Sequence, residues 1–166
     1  MTEYVFDAER TRIGFVAAHR VGGKVRGRFS SFEGALQVDR ADPARSTGWR
    51  LTVQMSSVET GNDRRDDQLR RDFFGAPTYP AMTFVSTTIT QTGPGFFEVT
   101  GNLTIRGTTR PLAVPLELTD ADDVLHLKAS RTINRHAWQA NWNPITTALV
   151  RPDVQLDLEL TATRRA

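Results

Sequence analysis

Residues 63–72 concentrate the side chains that could do acid–base chemistry. Four aspartates alternate there with four arginines: Asp63, Asp66, Asp67 and Asp72 with Arg64, Arg65, Arg70 and Arg71. Paired carboxylates could serve a hydrolase, and clustered arginines could bind nucleic acid, but such binding needs a net positive surface. Because acids and bases balance, a salt-bridge network explains the run better. On a helix it would contain the i,i+4 pairs Asp66–Arg70 and Asp67–Arg71.

Metal and nucleophile chemistry find little support in the rest of the sequence. The chain has no cysteine, and its three histidines are His19, His126 and His136. It contains no Gly-x-Ser-x-Gly elbow and no phosphate-binding glycine loop. His19 lies on the apolar side of a predicted strand, where a histidine bonded to a neighbour is the plainer interpretation and a contact to a ligand is the functional one. We therefore expect no enzyme, no metal and no cofactor.

The composition is that of one soluble globular domain spanning residues 1–166. Hydrophobic residues make up 39% and charged residues 24% of the chain, and the formal net charge is +2. The first residues lack the features of a signal peptide, and no stretch reaches the roughly 20 apolar residues of a membrane helix. We expect a cytoplasmic protein with no stable membrane insertion and no nucleic-acid partner.

Apolar and polar residues alternate with period two along most of the chain, which predicts about eight or nine antiparallel strands. Gly27 and Gly34 fall on the inward parity, where glycine suits tightly curled sheets. Pro111 and Pro115 share one parity and predict a partly unpaired strand. A sheet of this length is expected to close into a barrel, whose interior is either filled by side chains or holds one small apolar ligand.

The charged run interrupts this alternation and predicts a helical insertion. Asn62 or Asp63 can cap its start, Gly75 suits a left-handed end, and Pro77 prevents continuation. A short helix is not stable alone in water. It must therefore lay its apolar residues against the barrel, namely Leu69, Phe73 and Phe74.

Binding of an apolar ligand is the chemical signal that remains. The inward parity of the predicted strands is rich in large apolar side chains: Phe15, Phe29, Phe32, Met55, Phe84, Phe97 and Leu103. Trp138 and Trp142 lie in an irregular segment that could line the mouth of a barrel. For each residue singly, core packing is the plainer interpretation, because a pocket requires some of them to border empty volume.

Several motifs in a fixed order resemble the YceI-like family of bacterial lipid-binding proteins. They include Phe15-x-x-x-His19, Val25-x-Gly27-x-Phe29-x-x-Phe32-x-Gly34, Arg65-Asp66-x-x-Leu69-Arg70-x-Asp72-Phe73-Phe74, and Gly101-Asn102-Leu103-Thr104-Ile105-Arg106-Gly107-x-Thr109. The resemblance covers nearly the whole chain and departs at Gln68, where the family often has His, and at residues 136–142. It implies an all-β, lipocalin-like antiparallel barrel with a helical insertion. It also implies an amphiphilic or polyisoprenoid lipid bound inside without catalysis, and commonly a homodimer.

The hypothesis is binding, sequestration or transport of a polyisoprenoid or similar lipid, a quinone-like molecule included, in the barrel interior. The apolar lining would be the large inward side chains above together with Leu69, Phe73, Phe74, Trp138 and Trp142. Head-group candidates are His19, Arg65, Asp66 and Arg70, although structural roles fit Arg65 and Asp66 at least as well. The alternatives are an enzyme acting on such a lipid through His19 and a nearby acid, and a stress-related structural protein with a filled barrel.

Overall fold

Antiparallel strands make up most of the chain in the computed structural model, which describes residues 1–19, 23–39, 41–121, 123–138 and 150–165. The strands are β1 Thr2–Phe6, β2 Arg12–His19, β3 Lys24–Phe29, β4 Phe32–Val38, β5 Thr47–Gln54, β6 Val58–Glu59, β7 Ala81–Gly93, β8 Phe96–Ile105, β9 Thr108–Ala121, β10 Val124–Asn134 and β11 Val150–Arg164. The helix α1 spans Asp63–Gln68. No helix in the described ranges is long and apolar enough to cross a membrane.

The strands close into an eight-stranded up-and-down barrel. Three of its walls each consist of two consecutive short strands, β1 with β2, β3 with β4, and β5 with β6, whereas the other five are single long strands. Each wall pairs with the next, and β11 returns to the first wall through the pairs Leu158↔Ile13 and Ala162↔Phe6. The predicted closed antiparallel barrel is therefore confirmed, and closure removes the free edges of the sheet.

Aromatic rings pack directly on inward glycines of the wall. A Cβ atom added to Gly27 would lie 2.4 Å from the ring of Phe15, and one added to Gly34 would lie 2.5 Å from the ring of Phe6. Real Cβ atoms do not approach so closely, so only glycine leaves room for these rings. The inward placement predicted for Gly27 and Gly34 agrees with this packing.

Two apolar clusters occupy the barrel interior. The helix-end cluster lies at the end that carries α1 and includes Ile13, Phe15, Phe29, Val53, Met55, Val58, Leu103, Ile133 and Trp138. The far-end cluster lies at the end where β1 begins and includes Tyr4, Leu36, Val38, Trp49, Phe97, Val99, Leu116, Leu125 and Leu127. Three residues pack against both clusters and join them at mid-height: Phe84, Ala129 and Leu160.

One stretch of the wall, which we call the seam, lacks a hydrogen-bonded ladder. The β9–β10 ladder stops at Leu116↔Ala129, whereas residues 108–115 remain paired with β8 on their other side. The side chain of Arg131 spans the seam, because its Nε donates to the carbonyl oxygen of Ala113 at 2.8 Å. The partly unpaired strand predicted from the prolines of β9 is therefore confirmed.

The helical insertion begins as predicted and changes geometry halfway. The Asn62 side chain caps α1 by accepting from the amide of Arg65 at 3.0 Å. From Leu69 to Phe73 the chain forms a π-helical turn, which the amide of Phe74 closes onto the carbonyl of Leu69 at 2.9 Å. Gly75 then ends the segment at a φ of +58°, the left-handed conformation expected there.

The predicted i,i+4 ion pairs of this helix are wrong. The Asp66 carboxylate is buried and accepts hydrogen bonds from Thr60 instead of pairing with Arg70. Arg70 pairs with Asp67, three residues earlier, at 2.7 Å, and Arg71 donates to the backbone carbonyl of Asp67. The prediction assumed α-helical spacing, whereas the π turn widens the helix from Leu69 onward.

Candidate functional site

An apolar cavity of about 100 Å³ lies inside the barrel, between the two clusters. Strands on all sides contribute to its wall, chiefly through Phe6, Ile13, Phe29, Trp49, Leu51, Val53, Met82, Phe84, Val99, Leu103, Leu112, Val114, Leu116, Leu127, Ala129, Leu156, Leu158 and Leu160. Apolar cavities of this order remain dry and accept small hydrocarbons. The interior is therefore neither packed solid nor a wide tunnel, and a segment of hydrocarbon chain fits without rearrangement.

Three of the residues predicted to line the interior border this cavity: Phe29, Phe84 and Leu103. The others for which side chains are described pack into the clusters without bordering it, namely Phe15, Phe32, Met55, Leu69, Phe74, Phe97 and Trp138. Inward parity therefore identified buried residues correctly and did not separate lining from packing. The predictions for the side chain of Phe73 and for Trp142 lie outside the described residues.

The π turn closes the helix end of the barrel. Leu69 and Phe74 pack against the helix-end cluster. The Phe74 ring lies 5.8 Å from that of Phe29, which in turn lies 5.5 Å from that of Phe15. Because Phe29 also borders the cavity, this row of rings separates the cavity from solvent at the helix end.

Trp138 supports the same end from beside the seam. It is buried, and its indole Nε1 donates to the backbone carbonyl of Leu103 at 2.8 Å. A satisfied indole in a core cluster stabilises the wall. This position differs from the open barrel mouth predicted for Trp138.

The predicted head-group residues are held in a network that fastens α1 to the barrel. Asp66 accepts from the amide of Thr60 at 2.9 Å and from its hydroxyl. Arg65 donates to the hydroxyl and the carbonyl of the same threonine, each at 2.8 Å. Arg70 donates to the backbone carbonyls of Ser56 at 2.7 Å and Val58 at 3.2 Å.

This network gives Arg65, Asp66 and Arg70 a structural function, and none of the three borders the cavity. Their role toward a ligand head group stays a prediction, and it requires them to exchange existing hydrogen bonds. His19 ends β2, and its side chain lies outside the described part of the chain. Among the described residues, no three His, Asp or Glu side chains cluster closely enough to hold a metal ion.

The sequence analysis did not select Trp49, which borders the cavity from β5. Its side chain is buried, and of the buried side-chain nitrogens and oxygens in the described ranges, its Nε1 alone lacks a hydrogen-bond partner. The parity shared with Leu51 and Val53 was the signal that could have identified it. Its place directly after the loop that ends at Gly48 concealed that signal.

Comparison with known proteins places the barrel among relatives. The YceI-like domain matches residues 4–162. The UPF0312 protein SAB2563 of Staphylococcus aureus is 31% identical over 151 residues, which is 86% of this chain and 85% of that protein. The crystal structure of Burkholderia cenocepacia BcnA is 28% identical with a TM-score of 0.88 and covers 95% of this chain and 99% of that one.

A polyisoprenoid binding domain from Saccharophagus degradans, implicated in plant cell wall breakdown, superimposes with a TM-score of 0.82 over 99% of this chain and 100% of that one. At 16% sequence identity, this likeness shows a common fold alone. Because the family match extends over nearly the whole chain, the protein belongs to the YceI-like family.

Proposed function

We propose that this protein binds the hydrocarbon chain of a polyisoprenoid or similar amphiphilic lipid in the barrel cavity, without catalysis, to sequester or transport it. The observation that carries the proposal is an unfilled cavity with an apolar wall inside a closed barrel. Burial contributes about 0.8 kcal/mol for each CH₂ group removed from water. A five-carbon unit therefore contributes a few kcal/mol, on the order of 4, before the cost of ordering the chain is subtracted.

Two further facts support this proposal. The Saccharophagus degradans domain with the same fold is named for polyisoprenoid binding. The cavity wall of the present chain is built from aliphatic and aromatic side chains, and the one lining arginine, Arg50, has an exposed side chain. No titratable side chain described here points into the cavity by strand parity. Such an interior suits holding a chain better than reacting with it.

The cavity volume sets the length of chain that the barrel holds in this conformation. Sites for drug-sized ligands usually have volumes of about 300–1,000 Å³, whereas this cavity has about 100 Å³. A long isoprenoid therefore requires side chains to move. Phe84 and Leu160 are the first candidates, because they are only partly buried and pack between the two clusters.

The same small volume favours one competing function, a structural protein whose barrel stays filled. The two alternatives differ in what the barrel contains after purification. Native mass spectrometry of protein from its own host should show a co-purified lipid, and protein stripped of lipid should take up added farnesol. If the protein carries no lipid and takes up none, the filled-barrel function is correct and lipid binding is excluded.

A pair of matched variants locates the bound chain. Ala129→Leu adds three carbons to the cavity wall at the junction of the clusters. If they displace about three carbons of ligand, the Kd for farnesol should rise by tenfold or more. Ala113→Leu makes the same change at a β9 residue that does not border the cavity, and it should bind like the wild type. Equal binding by all three proteins would place the lipid elsewhere.

A further inference from the structure

The Nε1 atom of Trp49 is a buried donor without an acceptor. The residue is only 8% exposed, and its indole N–H has no partner among the described residues. Buried polar groups in folded proteins are almost always hydrogen-bonded, so a group left unsatisfied in a native structure requires an explanation. Trp138 shows the usual arrangement in this same barrel, with its indole N–H bonded to the carbonyl of Leu103.

The position of Trp49 supplies that explanation. The residue borders the cavity and belongs to the far-end cluster. Its backbone amide donates to the Ser86 hydroxyl at 3.1 Å, which fixes this part of β5 against β7. An unused donor held against an otherwise apolar cavity is the arrangement expected where a ligand brings the missing acceptor.

We propose that the cavity selects lipids that carry a neutral oxygen acceptor, a ketone, aldehyde, ester or alcohol oxygen, and that this oxygen accepts a hydrogen bond from Trp49 Nε1. This inference rests on the proposed function and deepens it, because it names the polar part of the ligand. The acceptor is neutral because a phosphate or carboxylate would be buried among apolar residues without a counter-charge, which is strongly unfavourable.

The hydrogen bond also fixes the direction of the ligand. Trp49 lies toward the far end, whereas Phe29 and Ile13 border the cavity toward the helix end. The oxygen-bearing end of the lipid is therefore held at the far end, and the hydrocarbon chain runs toward α1. This orientation is opposite to one in which Arg65 and Arg70 receive the head group.

The test compares two probes of similar chain type on the full-length protein. Geranylacetone is an isoprenoid that ends in a ketone, and β-farnesene is an isoprenoid hydrocarbon without oxygen. Proton–nitrogen NMR spectra of the wild type should show the Trp49 indole signal moving downfield with geranylacetone and not with β-farnesene. The Trp138 indole signal serves as the internal control, because its hydrogen bond to Leu103 is already formed.

The variant Trp49→Phe keeps an aromatic ring, removes the donor and identifies the Trp49 signal by its loss. We expect the ratio of the β-farnesene Kd to the geranylacetone Kd to fall about tenfold in this variant, which is the usual size of one hydrogen bond. An unchanged ratio contradicts the inference. If the variant fails to fold, the wild-type NMR comparison decides alone.

The outcomes separate this inference from the function on which it rests. Binding of both probes without a ketone-specific movement of the Trp49 signal overturns the inference and leaves lipid binding intact. Failure of both probes to bind overturns lipid binding and the inference together. A movement specific to geranylacetone supports both.

Discussion

Asp7 interrupts the first wall of the barrel between β1 and β2 and holds the bend with its side chain. One carboxylate oxygen accepts from the amide of Glu9 at 3.0 Å, and the other accepts from Nε of Arg10 at 2.8 Å. The hydrogen bond from Arg10 and then that from the Glu9 amide hold the pKa of Asp7 below its ordinary value of 3.8. The ionised form is therefore favoured more in the folded chain than in the unfolded one.

This shift predicts the sign of a pH dependence. A carboxylate with a lowered pKa in the folded state stabilises the fold above its unfolded pKa, and that contribution is lost as the pH falls through the lower folded value. Asp7→Asn should therefore be less stable than the wild type in urea unfolding at about pH 6, with the difference shrinking below about pH 4. Glu9→Gln on the same turn is the control. A difference that stays constant from pH 6 to pH 2 would contradict the assignment.

At the residue scale, parity along the strands predicted more than chemistry did. Phe29, Phe84 and Leu103 were identified as lining residues because their strands alternate clearly. Trp49 was missed, and the property that distinguishes it, an indole N–H without an acceptor, depends on what every neighbouring atom does. Sequence alone does not contain that information.

The inserted helix illustrates the limits of local rules at the scale of an element. Its cap at Asn62 and its left-handed end at Gly75 were predictable, because each depends on one residue and its adjacent backbone. The ion pairs were not, because Asp66 turns toward the barrel to bond Thr60. A tertiary partner here replaced the helical one.

Asp66 should therefore matter more than its neighbours on α1. Replacing it by Ala leaves the amide and hydroxyl of Thr60 without their buried acceptor and should lower the free energy of unfolding by about 2–3 kcal/mol. Asp63→Ala changes an exposed carboxylate in the first turn and should cost less than about 1 kcal/mol. Urea unfolding of the two variants measures both values. Similar losses would show that the Asp66–Thr60 contact does not anchor the helix.

At the scale of the whole molecule, the shape of the barrel depends on glycines beneath aromatic rings. Gly27→Ala would place a methyl group 2.4 Å from the Phe15 ring, so the ring or the wall must move, at a cost of about 1–3 kcal/mol. Gly23→Ala is the matched control, because a Cβ there meets nothing within 4 Å. Thermal unfolding should therefore separate the two variants clearly. Equal midpoints would contradict the packing described for Gly27.

Period-two alternation was sufficient to predict closure, because a long antiparallel meander with inward apolar residues has few other ways to bury its face. The prolines of β9 also predicted the seam. The volume of the cavity was not predictable, because it is the small difference between the space within the wall and the side chains that fill it. Rings lying over Gly27 and Gly34 change that difference without changing the alternation.

The seam gives this closed barrel one place where two strands can separate at small cost. Elsewhere, parting neighbouring strands breaks a row of backbone hydrogen bonds together. Between residues 108–115 and the end of β10, the bonds that cross are side-chain ones, including Arg131 to Ala113. A long chain passing sideways through the wall would exchange a few such bonds one after another, so the barrel could admit it while the remaining ladders stayed intact.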